Sequence, residues 1–244
     1  MRSAPSVLTA AVDVRTDFTM AAVNSSAIGE GAGLVGISGE SISKRLAGVG
    51  RGMLGGTSIG FMGITASARD VVFVVDVSGS MISGAKSLET YEKVEREVGS
   101  VLKSLTSRSR FGIVVFSKDA EAYKAQLVAV TPDERSKAMR WLRKKSPAVL
   151  REARADEEEK AFHHGTRADL GLARAFSMQP DMIILVSDGE PTGKSASQIL
   201  TEVDTLQVNR APRVMVNVVA YHADSGLSFM ERLAQKNGGI FREV

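Results

Sequence analysis

Asp76, Ser78 and Ser80 alternate along the segment Asp76-Val77-Ser78-Gly79-Ser80-Met81. In an extended backbone such alternation turns one carboxylate and two hydroxyls to the same side, and Gly79 relaxes the chain between the serines. Two further segments offer oxygens of the same kind, His163-His164-Gly165-Thr166 and Ser187-Asp188-Gly189. Hard oxygens without imidazole or thiolate suit magnesium, manganese or calcium rather than zinc or copper. Magnesium needs a near-octahedral shell and keeps several waters. Oxygens from Asp76, Ser78, Ser80, Thr166 and Asp188, bound directly or through water, therefore leave a position for an outside ligand. If one of the two carboxylates stands back from the metal, part of the cation's charge stays unscreened and an entering carboxylate finds a favourable partner.

Other chemistries lack their residues. Without cysteine there is no disulfide, no thiolate zinc site and no cysteine nucleophile. A serine hydrolase would need Ser78 or Ser80 activated by one of only three histidines, and no Gly-x-Ser-x-Gly elbow is present. An aspartyl-phosphate phosphatase would carry a second carboxylate where Ser78 stands, and no Gly-x-x-x-x-Gly-Lys-Ser/Thr phosphate loop occurs. The 31 basic and 28 acidic residues are mixed along the chain, so no basic stripe points to nucleic acid. No apolar run approaches the roughly 18 residues of a membrane span.

The elements that must position these oxygens begin near Asp70. The run Val71 to Val75 is apolar throughout, as in a strand covered on both faces. Leu88, Tyr91, Val94, Val98, Val101, Leu102 and Leu105 recur at helical spacing over Lys86 to Leu105. Further strands are expected at Phe111–Phe116, around Ala122–Val130, at Met182–Val186, Val214–Val219 and Ile240–Glu243. Helices are expected near Asp133–Lys144, Ala168–Met178, Ser195–Leu206 and Leu227–Lys236. This alternation predicts an α/β fold, a doubly wound, mainly parallel sheet of Rossmann-like type, and the spacing of Ser117 to Ala122 makes one edge strand antiparallel. In such a sheet ligands gather at the carboxyl ends of the strands, where the three oxygen-bearing loops lie. Residues 1–69 read as a Gly-rich extension, since 12 of the 23 glycines fall between Gly29 and Gly63 among apolar residues without a sustained period. The domain proper spans 70–244.

The strand and loop from Val71 to Met81 resemble the start of von Willebrand factor A (vWA) domains. In that family an Asp-x-Ser-x-Ser motif, a Thr on a second loop and an Asp on a third form a metal-ion-dependent adhesion site. Carried over, these are Asp76, Ser78, Ser80, Thr166 and Asp188. The resemblance implies a metal-dependent, non-enzymatic adhesion or assembly module whose cation, magnesium or else manganese or calcium, engages an Asp or Glu of a protein partner. The lead-in Phe61-Met62-Gly63-Ile64 has a fainter similarity to membrane-anchored bacterial members, which implies a place in the cell envelope or elsewhere outside the cytoplasm, with the cytoplasm left open as the alternative.

Some alternatives stay open at this level. Self-assembly competes with partner binding: the extension would dock on neighbouring copies to form a homo-oligomer, with the metal as a staple. Thr166 and Asp169 also fit a capping box for the following helix. His163 and His164 read as exposed loop imidazoles or as neighbours of the metal, and Trp141 as a core anchor of its helix. The charged stretch Arg151–Lys160, with Glu157-Glu158-Glu159, is a solvated helix face or, standing just before Thr166, a selectivity element.

Overall fold

The structure is a computed structural model and describes residues 56–83, 88–148, 158, 162–223 and 225–244. The extension over 1–55, with the self-assembly expected of it, and all of the acidic run except Glu158 lie outside the described residues.

The central strand β3 (Asp70–Asp76) is buried at every position, because its side chains supply two cores. Val71, Phe73 and Val75 face one, Val72 and Val74 the other. This double burial is why the run reads as unbroken apolar sequence rather than as an alternation. β3 pairs in parallel with β4 (Arg110–Phe116) on one side and β7 (Met182–Ser187) on the other. The sheet continues through β8 (Met215–Ala220) to β9 (Phe241–Glu243). At the opposite edge β5 (Ala120–Ala122) and β6 (Val128–Ala129) both run antiparallel to β4. The single strand expected around Ala122–Val130 is thus two short ones separated by a bend.

The first core is covered by α1 (Leu88–Ser104), whose Tyr91, Val94, Val98, Val101 and Leu102 are buried, and by α2 (Pro132–Lys144). Trp141 on α2 is half-buried and packs against Tyr123 with ring centroids 5.8 Å apart. Three helices, α3 (Ala168–Ser177), α4 (Ala196–Gln207) and α5 (Leu227–Lys236), bury their apolar faces in the second core. Helices on both faces make the sheet doubly wound. Chain order reverses beside β3, so the carboxyl ends of β3 and β7 lie side by side at the switch point where such sheets bind ligands.

Part of the expected extension belongs to this packing. β1 (Thr57–Phe61) and β2 (Ile64–Ala68) form an antiparallel hairpin whose Ile59, Phe61, Ile64 and Ala68 are buried in the first core. The Phe61 and Phe73 rings approach to 5.8 Å. Met62 and Gly63 form its turn with φ of 44° and 80°, the two positive values that suit a two-residue hairpin. Among the described residues no helix is long and apolar enough to cross a membrane.

Candidate metal centre

Asp76, the last residue of β3, is fully buried, and each of its oxygens accepts a hydrogen bond. Oδ1 takes one from the backbone N–H of Ser78 at 2.9 Å and Oδ2 one from the Ser187 hydroxyl at 2.7 Å. Ser187 ends β7, and Asp188, also buried, follows it. The Ser80 hydroxyl donates to Asp188 Oδ1 at 3.1 Å and stands 2.8 Å from Ser78 Oγ. A hydroxyl has one proton to give, so Ser78 donates to Ser80 and Ser80 to Asp188. The first and third loops therefore meet in one chain of oxygens.

The second loop is held over the end of β4. Arg167 donates its backbone N–H to the Ser117 carbonyl at 2.7 Å, and the Ser117 hydroxyl donates to the Gly165 carbonyl at 3.0 Å. Thr192 grips Thr166 from the third loop: its hydroxyl accepts the Thr166 N–H at 2.8 Å and its own N–H reaches the Thr166 carbonyl at 3.0 Å. Gly165, at φ 104°, lets the loop come this close, since a Cβ there would meet Thr192 Oγ1 at 3.2 Å. The capping box expected of Thr166 and Asp169 does not form. Arg167 is the capping residue of α3, without a side-chain cap, and its guanidinium takes both oxygens of buried Asp169 at 2.8 Å. Asp169 is drawn into a bidentate ion pair, a stronger use of a carboxylate than a cap.

The two histidines separate. His164 is exposed, as expected for a loop, but His163 is buried, and its Nδ1 donates to the Val77 carbonyl of the first loop. The His163 carbonyl accepts the Gly79 N–H at 3.0 Å. Sequence reasoning missed two contributors, Ser187 and Thr192, and left His163 open between an exposed loop imidazole and a neighbour of the metal. Only Ser187, a hydroxyl at a strand end beside Asp188, carried a local signal.

The donor set fits a hard divalent cation. Burial, and then the neighbouring Asp188 carboxylate, push Asp76 up to about 7. A cation beside the pair would offset both the lost hydration and the repulsion. Next to the site is a cavity of about 750 Å³ lined by Lys118, Asp119, Lys144, Glu158, Phe162 and Arg167. Its charges are of both signs, and Glu158 is the described member of the acidic run.

Residues 70–244 match the von Willebrand factor type A domain. The chain belongs to this family. It is 26% identical over 180 residues to inter-alpha-trypsin inhibitor heavy chain H2 of Mesocricetus auratus, covering 72% of this chain and 18% of that one. Heavy chain H4 of Homo sapiens is 27% identical over 187 residues, covering 75% and 19%. The chain thus spans less than a fifth of the length of these curated relatives. Among solved structures, a von Willebrand factor type A protein from Catenulispora acidiphila superposes with a TM-score of 0.57 at 16% identity, over 74% of this chain and 40% of that one. Domains of this family serve protein–protein interaction and commonly bind a divalent metal. The matched segment starts at Asp70, directly after the β1–β2 hairpin.

Proposed function

We propose that this vWA domain is a metal-dependent, non-enzymatic binding module in which Asp76, Ser78, Ser80, Thr166 and Asp188 hold one magnesium ion, or manganese or calcium in its place. The ion engages an Asp or Glu carboxylate of a protein partner. One observation carries the reading: two buried carboxylates, Asp76 and Asp188, are linked through Ser78, whose backbone N–H donates to Asp76, and through the Ser78 and Ser80 hydroxyls. The hydroxyl of Ser187 also donates to Asp76, which is pushed up to about 7. Among the described residues the Thr166 hydroxyl has no hydrogen-bond partner in the protein, which leaves that oxygen available to the ion or to its water.

The magnesium supplies a positive charge at the rim of the sheet, and the protein's residues aim the oxygens and limit access. Cation uptake is read by calorimetry, magnesium into the parent and into Asp76→Ala, with binding expected only for the parent. Peptides selected from a random library in magnesium are expected to carry an acidic residue, to leave when chelator is added, and to lose binding when that residue becomes its amide. Peptides that stay bound through both treatments would place the interface elsewhere.

A further inference from the structure

His163 holds the peptide units on both sides of Ser78. The unit between Val77 and Ser78 presents its carbonyl to His163 Nδ1, and the unit between Ser78 and Gly79 presents its N–H to the His163 carbonyl at 3.0 Å. The first of these units is held at its other end as well, because the Ser78 N–H donates to Asp76 Oδ1 at 2.9 Å. With both flanking peptide planes fixed, the Ser78 backbone is set, at φ −63° and ψ 156°, and with it the direction in which its hydroxyl leaves the chain.

His163 is itself well braced. It is 3% exposed, and its ring meets Phe162 edge-on with centroids 5.4 Å apart. The Phe162 carbonyl accepts the Lys118 N–H at 3.0 Å, from the turn after β4. Rigid support reaches Ser78 from the sheet through Lys118, Phe162 and His163 in turn. The side chain at position 163 matters because Val77 offers a carbonyl, an acceptor that needs a donor at the reach of Nδ1.

We propose that His163 is a positioning residue that aims Ser78 at the metal and so sets the affinity of the site for magnesium. The inference rests on the metal reading above. Groups that orient ligands in this way typically contribute 10–100-fold to metal affinity.

The test measures magnesium affinity by calorimetry, and manganese affinity by the loss of the free-ion electron paramagnetic signal, for the parent, His163→Leu and His163→Asn. The asparagine amide nitrogen lies at about the distance of Nδ1 from Cα. His163→Leu is expected to bind both ions at least ~10-fold more weakly, and His163→Asn to recover most of the loss, while the melting temperatures of the metal-free Leu and Asn variants agree within a few degrees. If His163→Leu does not fold, His163→Gln replaces it, since its amide reaches one carbon further and cannot meet the Val77 carbonyl from the same backbone position. The proposal is overturned if the parent binds metal and Leu, or Gln in its place, binds as tightly as the parent. A parent that takes up neither ion overturns the metal reading itself, and the role of His163 with it.

Discussion

Ser187 and Asp76 meet at 2.7 Å across 111 residues of sequence, a hydroxyl at the end of β7 donating to a carboxylate at the end of β3. This bond carries the sheet's parallel pairing of β3 with β7 into the candidate metal centre. It gives Asp76 Oδ2 a protein donor while Oδ1 is bound by the first loop. Ser187→Ala removes a buried bond to a carboxylate and is expected to cost about 1.5–3 kcal/mol at a pH well above 7, where Asp76 is ionised. Urea unfolding in chelator measures it, and a variant as stable as the parent would contradict the assigned donor.

Magnesium is expected to raise the melting temperature of the parent, because a ligand that binds only the folded chain stabilises it by mass action, by about 2.7 kcal/mol when present at 100 times its dissociation constant. Asp76→Ala and Asp188→Ala should each abolish the rise. Thermal melts with magnesium and with chelator give the answer directly, and a full rise in either variant would remove that residue from the ligand set.

The raised Asp76 carboxyl predicts a pH dependence of definite sign. Its folded value of about 7 lies above the ordinary 3.8, so the folded, metal-free protein holds the proton more tightly than the unfolded chain. The stability this contributes is complete below about 3.8 and is lost as pH rises through about 7. The loss is on the order of a few kcal/mol. Metal must displace that proton, so magnesium affinity should rise over the same window and level off above it. Unfolding in chelator from pH 4 to 8 should show the decline in the parent and a flatter profile in Asp76→Asn. Parallel profiles would refute it.

Phe61→Ala in the hairpin is expected to destabilise the domain by about 3–5 kcal/mol, the usual loss for a buried aromatic ring, because Phe61 packs on Phe73 of the central strand. A protein beginning at Asp70 should unfold at lower urea than one beginning at residue 56. Equal midpoints would mark the hairpin as dispensable.

Much of this fold is legible along the chain because local patterns and tertiary demands agree. The apolar run Val71–Val75 and the helical spacing of Tyr91, Val94 and Val98 give β3 and α1 directly. The Asp76-x-Ser78-x-Ser80 segment is legible as a pattern of residue types. Its geometry is not, because the chain turns into a 3-10 helix over Gly79–Ile82, so Ser80 does not lie in the extended backbone that the alternation assumes, and Ser78 is braced from His163. The role of His163 is not legible either, because it depends on a backbone carbonyl 86 positions away that no side-chain pattern records. The hairpin is hidden by composition: Ile59 and Phe61 do alternate, and Met62-Gly63 is a turn, but the glycines before them make the segment read as linker. The Thr166–Asp169 spacing misleads because Arg167, between them, takes the carboxylate.

The hairpin's open end has a mechanical consequence. Thr57 lies against Ala68, with its hydroxyl 3.2 Å from Ser109 Oγ, at the amino-terminal side of the sheet. The candidate binding edge is at the carboxyl ends of β3 and β7. Tension applied between residue 56 and a partner on that edge would draw the two ends of the hairpin apart, breaking its pairs one after another from Thr57 and Ala68 towards Phe61 and Ile64. Peeling of this kind yields at lower force than sliding strands lengthwise. The β1–β2 unit would then lengthen under load ahead of the sheet, and the last step of its peeling, the withdrawal of Phe61 from Phe73, would be the one that reaches β3.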